Sequence, residues 1–314
     1  MSKKIAFLFP GQGSQAVGMG RDLYEHFPTA RAVFEEADAA LGFSLSQLCF
    51  AGPEDSLKQT ENTQPAILTV SIAAQRVLAE RGISAQLAAG HSLGEYSAQV
   101  AAGTISFVDA VRTVRNRGRY MQEAVPQGVG AMAAILGMPA DAVEDVCADA
   151  SVESWDVVSA ANLNSPEQTV ISGSVAAVER AATLAKERGA KRAVMLPVSA
   201  PFHCVLMQPA QERLAKDLHV LAFATPRIPI AVNVDAVLVA TADAARDALI
   251  RQVTGAVRWV ECMRLLIAEG ATHFIEVGPG KVLCGLMRQI DRSQSCLNVE
   301  DSASLEKTLA ALAG

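Results

Sequence analysis

The sequence predicts an α/β fold in two parts: a larger unit built on a parallel sheet, and a smaller unit inserted within it. Two observations carry this. Short apolar runs of strand length are followed by tight turns and then by stretches of helical periodicity, the succession that α/β folds require. Between residues 130 and 198 the order becomes β-α-β-β-α-β, the ferredoxin-like arrangement, after which the earlier pattern resumes. The boundaries that follow are 1–128 and 199–314 for the larger unit and 129–198 for the insertion. At 314 residues, with 50% hydrophobic and 19% charged, the chain can bury one sizeable core and a subsidiary one.

Residues 4–9 are an apolar run that stops at Pro10, and Gly11-Gln12-Gly13-Ser14 turns the chain, so a buried strand ends in a loop. The stretch to about residue 41 has helical spacing. Residues 64–81 form a further amphipathic helix introduced by Pro65. A short apolar strand at 86–89 runs into Gly90-His91-Ser92-Leu93-Gly94, and a helix follows at 95–102. Another helix spans 108–125. In the insertion, strands are expected at 131–136, 156–162, 168–172 and 192–197, with helices at 139–148 and 175–188. Beyond it come a helical stretch at 204–218, then strands at 228–232 and 272–277, the last ending at Gly278-Pro279-Gly280.

Composition narrows the function. A formal charge of −6 argues against general polyanion binding, so nucleic acid is not expected as a partner. No window approaches eighteen unbroken apolar residues, and the opening Met-Ser-Lys-Lys-Ile lacks signal-peptide architecture, so a soluble, cytoplasmic protein is expected, with no membrane partner. The six cysteines are scattered without a Cys-x-x-Cys pair, and the expectation is that they are reduced.

Gly-x-Ser-x-Gly at residues 90–94 sits between a predicted strand and a predicted helix, the context that makes this motif a nucleophile elbow. The flanking glycines permit a turn that thrusts the Ser92 hydroxyl outward, while the helix N-terminus aims backbone N–H groups at a developing oxyanion. The plainer reading, a serine capping a helix, is outweighed by that context. Ser92 needs a base. His26 and His219 lie in charged helical stretches, His273 precedes an apolar strand and His91 is inside the turn, which leaves His203, where a strand end turns into a helix after the insertion. A structural histidine stays open as the alternative.

Arg117 stands out by helical phase. At 100° per residue the apolar seam of helix 108–125 runs through Val111, Val114, Gly118, Met121 and Val125. Arg112, Arg115 and Arg119 occupy the opposite face, and Arg117 lies beside the seam. Its fork suits a carboxylate bidentately, either on a substrate or on an Asp or Glu of the chain; phase alone favours the structural ion pair. Gly11-Gln12-Gly13-Ser14-Gln15-Ala16 has the letters of a dinucleotide fingerprint, but residues 21–41 read as helix where that motif needs a second strand. Ligand spacing for a metal is lacking as well.

These residues together resemble the malonyl-CoA:acyl carrier protein transacylases of bacterial fatty-acid synthesis and the related acyltransferase domains of polyketide synthases. The likeness runs the length of the chain: Phe9 to Gln15, Glu61 to Ala66, Gly90 to Tyr96, Arg117, Asn162 with Asn164, Pro197 to His203, Gln252 to Trp259, and Glu276 to Gly280 follow in the family's order. The resemblance implies an α/β-hydrolase-like large domain, Ser92 as nucleophile, and His203 as base oriented by the main-chain carbonyl of Gln252. It further implies Gln12 and Leu93 N–H groups as oxyanion hole and Arg117 as the holder of the malonyl carboxylate. Gln64, His91, Asn162, Ser199 and Phe202 become candidate pocket residues, Phe202 by analogy with malonyl-selective polyketide acyltransferases. The implied reaction moves malonyl from malonyl-CoA, a substrate and not a bound cofactor, to the phosphopantetheine thiol of an acyl carrier protein. Lys191, Arg192, Lys281 and Arg288 are candidates for contact with that acidic carrier, and a monomer is expected. Kept beside this reading are an acyltransferase serving a polyketide synthase or a malonate decarboxylase, and a serine hydrolase.

Overall fold

The apolar run at the N-terminus forms strand β1 (Ile5–Phe9), whose last four residues are buried at the middle of a sheet. The computed structural model describes residues 3–126, 128–198 and 200–313. Further strands among these are β2 (Leu87–Gly90), β3 (Gly130–Leu136), β4 (Val158–Ser165), β5 (Gln168–Ser174), β6 (Arg192–Met195), β7 (Ile230–Ala231), β8 (Leu238–Val239), β9 (His273–Val277) and β10 (Ser295–Val299). They make two sheets. The larger has the order β10-β9-β1-β2-β7-β8 and is parallel except for the short edge strand β8; the smaller has the order β4-β5-β3-β6 and is antiparallel throughout. The parallel strands read as unbroken apolar runs because helices cover both faces, leaving separate apolar clusters on either side.

Several helices differ in extent from their sequence signals. The stretch to residue 41 is two helices, Arg21–His26 and Pro28–Leu41, because Pro28 is suited to a first helical turn and restarts the chain there. Helix Thr60–Glu80 begins four residues before Gln64, its first turn closing on the Gln59 carbonyl, and Pro65 is carried inside it. The stretch after His203 starts as a 3₁₀ turn (Val205–Met207) before helix Gln208–Val220. Beyond Gly280, helix Val282–Ile290, β10 and helix Ser302–Ala313 complete the fold. Cys284 and Cys296 do not stay reduced as expected: that helix packs along β10 and brings their Cα atoms to 5.3 Å, joined as a disulfide, while Cys49, Cys147, Cys204 and Cys262 are free and buried.

Backbone approach at glycines sets the positions that matter for the site. A Cβ on Gly90 would stand 1.9 Å from the Gly94 carbonyl carbon, and one on Gly94 would stand 2.0 Å from the Phe9 carbonyl oxygen, so β1, β2 and helix Gly94–Ala101 meet main chain to main chain. Gly118, in helix Phe107–Ala124, does the same for two helices, since a Cβ there would be 2.6 Å from the Thr60 carbonyl oxygen. Ser106 caps that helix by accepting the Asp109 N–H at 3.1 Å. The smaller sheet is tied back to the larger unit by Leu163 N–H donating to Val257 O at 2.9 Å and Val257 N–H to Ala161 O at 2.8 Å.

Contact with backbone cannot be relieved by a rotamer change, so Gly90→Ala should lower the unfolding free energy by about 3 kcal/mol or more. Gly285 is the control: exposed inside helix Val282–Ile290 with nothing within 4 Å of its added Cβ, it should gain about 0.5–1 kcal/mol on substitution by alanine. Urea unfolding of both variants checks the pair; equal effects would contradict the close approach.

Candidate active site

The site lies at the carboxyl ends of the parallel strands β1 and β2, where Phe9 pairs with Gly90. From β2 the chain enters the elbow with Ser92 at φ 50°, left-handed backbone that a non-glycine residue adopts only under constraint. The constraint is Asn233, just beyond β7. Its Oδ1 accepts the Ser92 N–H at 2.8 Å, and its Nδ2 donates to the Gly90 carbonyl at 2.7 Å, bracing both sides of the turn.

Ser92 Oγ and His203 Nε2 are 2.7 Å apart. His203 Nδ1 lies 2.9 Å from the Gln252 carbonyl oxygen and 3.1 Å from that of Gly255. Both oxygens are acceptors, so Nδ1 carries the proton and Nε2 presents its lone pair to the serine hydroxyl. His203 too has a left-handed backbone, φ 60°. Burial lowers its pKa to about 3, with the Arg117 charge adding in the same direction, so the ring is neutral at pH 7 and able to accept a proton.

Arg117 is 1% exposed. The close crossing at Gly118 lays helix Phe107–Ala124 against helix Thr60–Glu80, and Arg117 Nη1 there donates to Gln64 Oε1 at 2.9 Å. Its Nη2 donates to Gln252 Oε1 at 3.0 Å and to Ser92 Oγ at 3.2 Å, while the guanidinium carbon lies 5.6 Å from the Tyr96 ring centre. Its hydrogen-bond acceptors are therefore neutral oxygens. The structural ion pair favoured by phase alone is absent: among the described residues no salt bridge reaches Arg117, and its Nε is buried without a partner. Desolvation works against this charge, which guanidinium retains because its intrinsic pKa is so high.

Around these groups is a cavity of about 130 Å³, a size suited to a short acyl group. Gln12, Gln64, His91, Ser92, Leu93, Arg117, Asn162, Phe202 and His203, all singled out from the sequence, line it. Gln252 is fully buried behind the wall, and Ser199 lies outside the described residues. The His91 Nε2 lies 2.8 Å from Asn164 Oδ1, and its ring packs against Trp259. The Leu93 N–H precedes helix Gly94–Ala101, and neither it nor the Gln12 N–H finds an acceptor among the described residues. Met132, Leu196 and Val198 add apolar wall from the smaller unit. Sequence reasoning missed Asn233 and Glu95. The one signal available for Asn233 was its place after a strand end; nothing local marks Glu95, whose carboxyl burial raises to a pKa of about 7. Among the described residues no group of three or more His, Cys, Asp or Glu is placed to hold a metal ion.

Known proteins resemble the chain in sequence and in fold. The family model for the acyl transferase domain matches residues 6–308. A malonyl CoA-acyl carrier protein transacylase of Bacillus subtilis (strain 168) is 50% identical over 309 residues, 98% of this chain and 97% of the relative. The solved malonyl CoA-acyl carrier protein transacylase of Coxiella burnetii superposes with a TM-score of 0.97 at 44% identity, covering 100% of this chain and 99% of that one. A malonyl-transacylase solved in complex with its type II PKS acyl-carrier protein superposes with a TM-score of 0.95 at 45% identity, covering 98% of this chain and 100% of that one. With likeness of this extent in sequence and in three dimensions, the chain belongs to the acyl transferase family, in its malonyl CoA-acyl carrier protein transacylase branch.

Proposed function

We propose that this enzyme transfers malonyl from malonyl-CoA to the phosphopantetheine thiol of an acyl carrier protein through an ester on Ser92, in support of fatty-acid synthesis. The observation that carries the residue roles is the surroundings of one oxygen. Ser92 Oγ lies 2.7 Å from a neutral imidazole and 3.2 Å from a buried guanidinium that no carboxylate of the described chain satisfies. The first pairing makes a nucleophile, and the second selects an acyl group that carries its own negative charge.

In the forward half-reaction Ser92 Oγ attacks the thioester carbonyl while His203 Nε2 takes the hydroxyl proton. The oxyanion that forms is met by the Gln12 and Leu93 N–H groups, the second backed by the N-terminus of helix Gly94–Ala101. Collapse breaks the C–S bond, and His203 returns the proton to the leaving coenzyme A thiolate. The carrier thiol then attacks the ester by the same steps in reverse roles, which regenerates the Ser92 hydroxyl. Acetyl in place of malonyl leaves the Arg117 guanidinium buried against neutral oxygens alone, a penalty of about 1–3 kcal/mol.

We read the larger unit as an α/β-hydrolase-like domain, residues 1–128 and 199–314, and residues 129–198 as a ferredoxin-like insertion; the β4-β5-β3-β6 order supports the latter, because the first and third strands of the β-α-β-β-α-β unit are central. Lys191 and Arg192, exposed where β6 begins, together with Lys281 and Arg288, are the residues we assign to carrier contact. We take the enzyme to act as a monomer in the cytoplasm, where its substrate class is made and used; among the described residues no helix is long and apolar enough to cross a membrane.

Ser92→Ala should abolish the malonyl adduct seen by intact mass after incubation with malonyl-CoA; a persisting adduct places the nucleophile elsewhere. Arg117→Ala should lower kcat/KM for malonyl-CoA by about tenfold or more while sparing or raising acetyl transfer. Loss of both donors in equal measure removes Arg117 from the carboxylate role. The pH profile of Ser92 acylation tests His203. Its folded pKa is depressed, so the base form persists as pH falls below the ordinary 6.5, and an acid limb from His203 appears only well below that value. Removing the Arg117 charge should move that limb upward; a wild-type limb at 6.5 would contradict the burial of His203.

A further inference from the structure

Glu95, one helical turn past the nucleophile, is fully buried, and the chemistry above does not use it. Its Oε2 accepts the Asn233 N–H at 2.8 Å and Gln252 Nε2 at 3.0 Å, while its Oε1 has no hydrogen-bond partner. Burying a half-satisfied carboxylate is unfavourable for folding, and an apolar side chain would pack there with less desolvation. What it holds is the side chain of Gln252. That amide directs Nε2 at the Ser92 carbonyl at 3.0 Å, at Glu95 Oε2, and at Asn233 Oδ1 at 3.3 Å, and directs Oε1 at Arg117 Nη2 at 3.0 Å. A flipped amide would set oxygen against three acceptors and NH₂ against a guanidinium.

Each of the three acceptors also takes a second donor. The Ser92 carbonyl takes the Glu95 N–H at 3.0 Å, and Asn233 Oδ1 takes the Ser92 N–H at 2.8 Å. Glu95 Oε2 takes the Asn233 main-chain N–H as well, so one oxygen ties the Gln252 amide to the Asn233 backbone. We propose that Glu95 is a positioning residue for acyl transfer: by fixing the Gln252 amide it sets the Arg117 guanidinium beside Ser92, and so sets which acyl group the serine accepts. This rests on the reading of Ser92 and Arg117 given above. His203 is outside its reach, since the main-chain carbonyl of Gln252 receives that ring whichever way the side-chain amide turns.

The experiment compares malonyl-CoA and acetyl-CoA as donors for Glu95→Ala, Glu95→Gln, Gln252→Ala and Arg117→Ala. Glu95→Ala and Gln252→Ala should raise KM for malonyl-CoA about tenfold with kcat changed by about threefold or less, so that the malonyl-to-acetyl ratio of kcat/KM drops about tenfold. Glu95→Gln keeps an acceptor oxygen for Asn233 and Gln252 and should hold the ratio within about threefold of the parent. If Glu95→Ala does not fold, Gln252→Ala and Glu95→Gln still decide. A ratio unmoved in Gln252→Ala, equal loss of both donors, or Glu95→Gln as unselective as Glu95→Ala overturns this proposal alone. A ratio that Arg117→Ala leaves unmoved overturns the carboxylate role of Arg117, and this proposal with it.

Discussion

A guanidinium buried without a carboxylate of its own governs how this molecule is built. Arg117 must be desolvated, kept charged and aimed at Ser92, and each requirement recruits a different part of the chain. The bare backbone at Gly118 lets two helices close enough for Gln64 to reach it, Gln252 arrives from the far end of the larger unit, and the Tyr96 ring faces the guanidinium. Its charge also acts on His203, helping to keep that ring neutral where protonation would block proton transfer. In the proposed reaction one cation thus serves recognition and base chemistry together, because the cavity is small enough for both to fall within its field.

The elbow rests on a different constraint, the absence of side chains between β1, β2 and the helix that follows. With Gly90 and Gly94 in contact with neighbouring main chain, the chain turns within three residues, and Asn233 holds the left-handed Ser92 from the opposite side. Strain at Ser92 is over-determined by packing on one face and hydrogen bonds on the other. The smaller unit contributes wall: Asn162 and Met132 close the cavity from a sheet docked through the Val257 segment, with Leu196 and Val198 from the chain just after β6.

What could be read in the sequence follows from how local each feature is. Gly-x-Ser-x-Gly is contiguous, and the burial of Arg117 depends on phase within one helix, so both were visible. His203 emerged because the other four histidines had plainer explanations. Asn233 and Glu95 were invisible: their partner contact spans 138 residues, and no short-range pattern records a contact of that separation. The acceptors around Arg117 were hidden for the same reason, so an internal ion pair was the more reasonable expectation until the fold put Gln64 and Gln252 there. In the fold, apolar strands with flanking turns were evident, β7 among them inside the expected 228–232, whereas β8, two residues long, is defined by its neighbour in the sheet and hardly by its own composition. The Cys284–Cys296 link likewise depends on which helix lies along the edge strand.

The way His203 is held bears on what mutation can do to this enzyme. Its Nδ1 proton is shared by two peptide carbonyls, those of Gln252 and Gly255, and a peptide carbonyl survives every amino-acid replacement. A serine hydrolase with an aspartate in that place can lose its orienting group to a single codon change. Here the group that orients the imidazole has no codon of its own. It is encoded in the path of the chain between helix Ala242–Arg251 and helix Trp259–Ala268, so genetic damage reaches it by disturbing that path, and a side-chain scan for essential residues would pass over it.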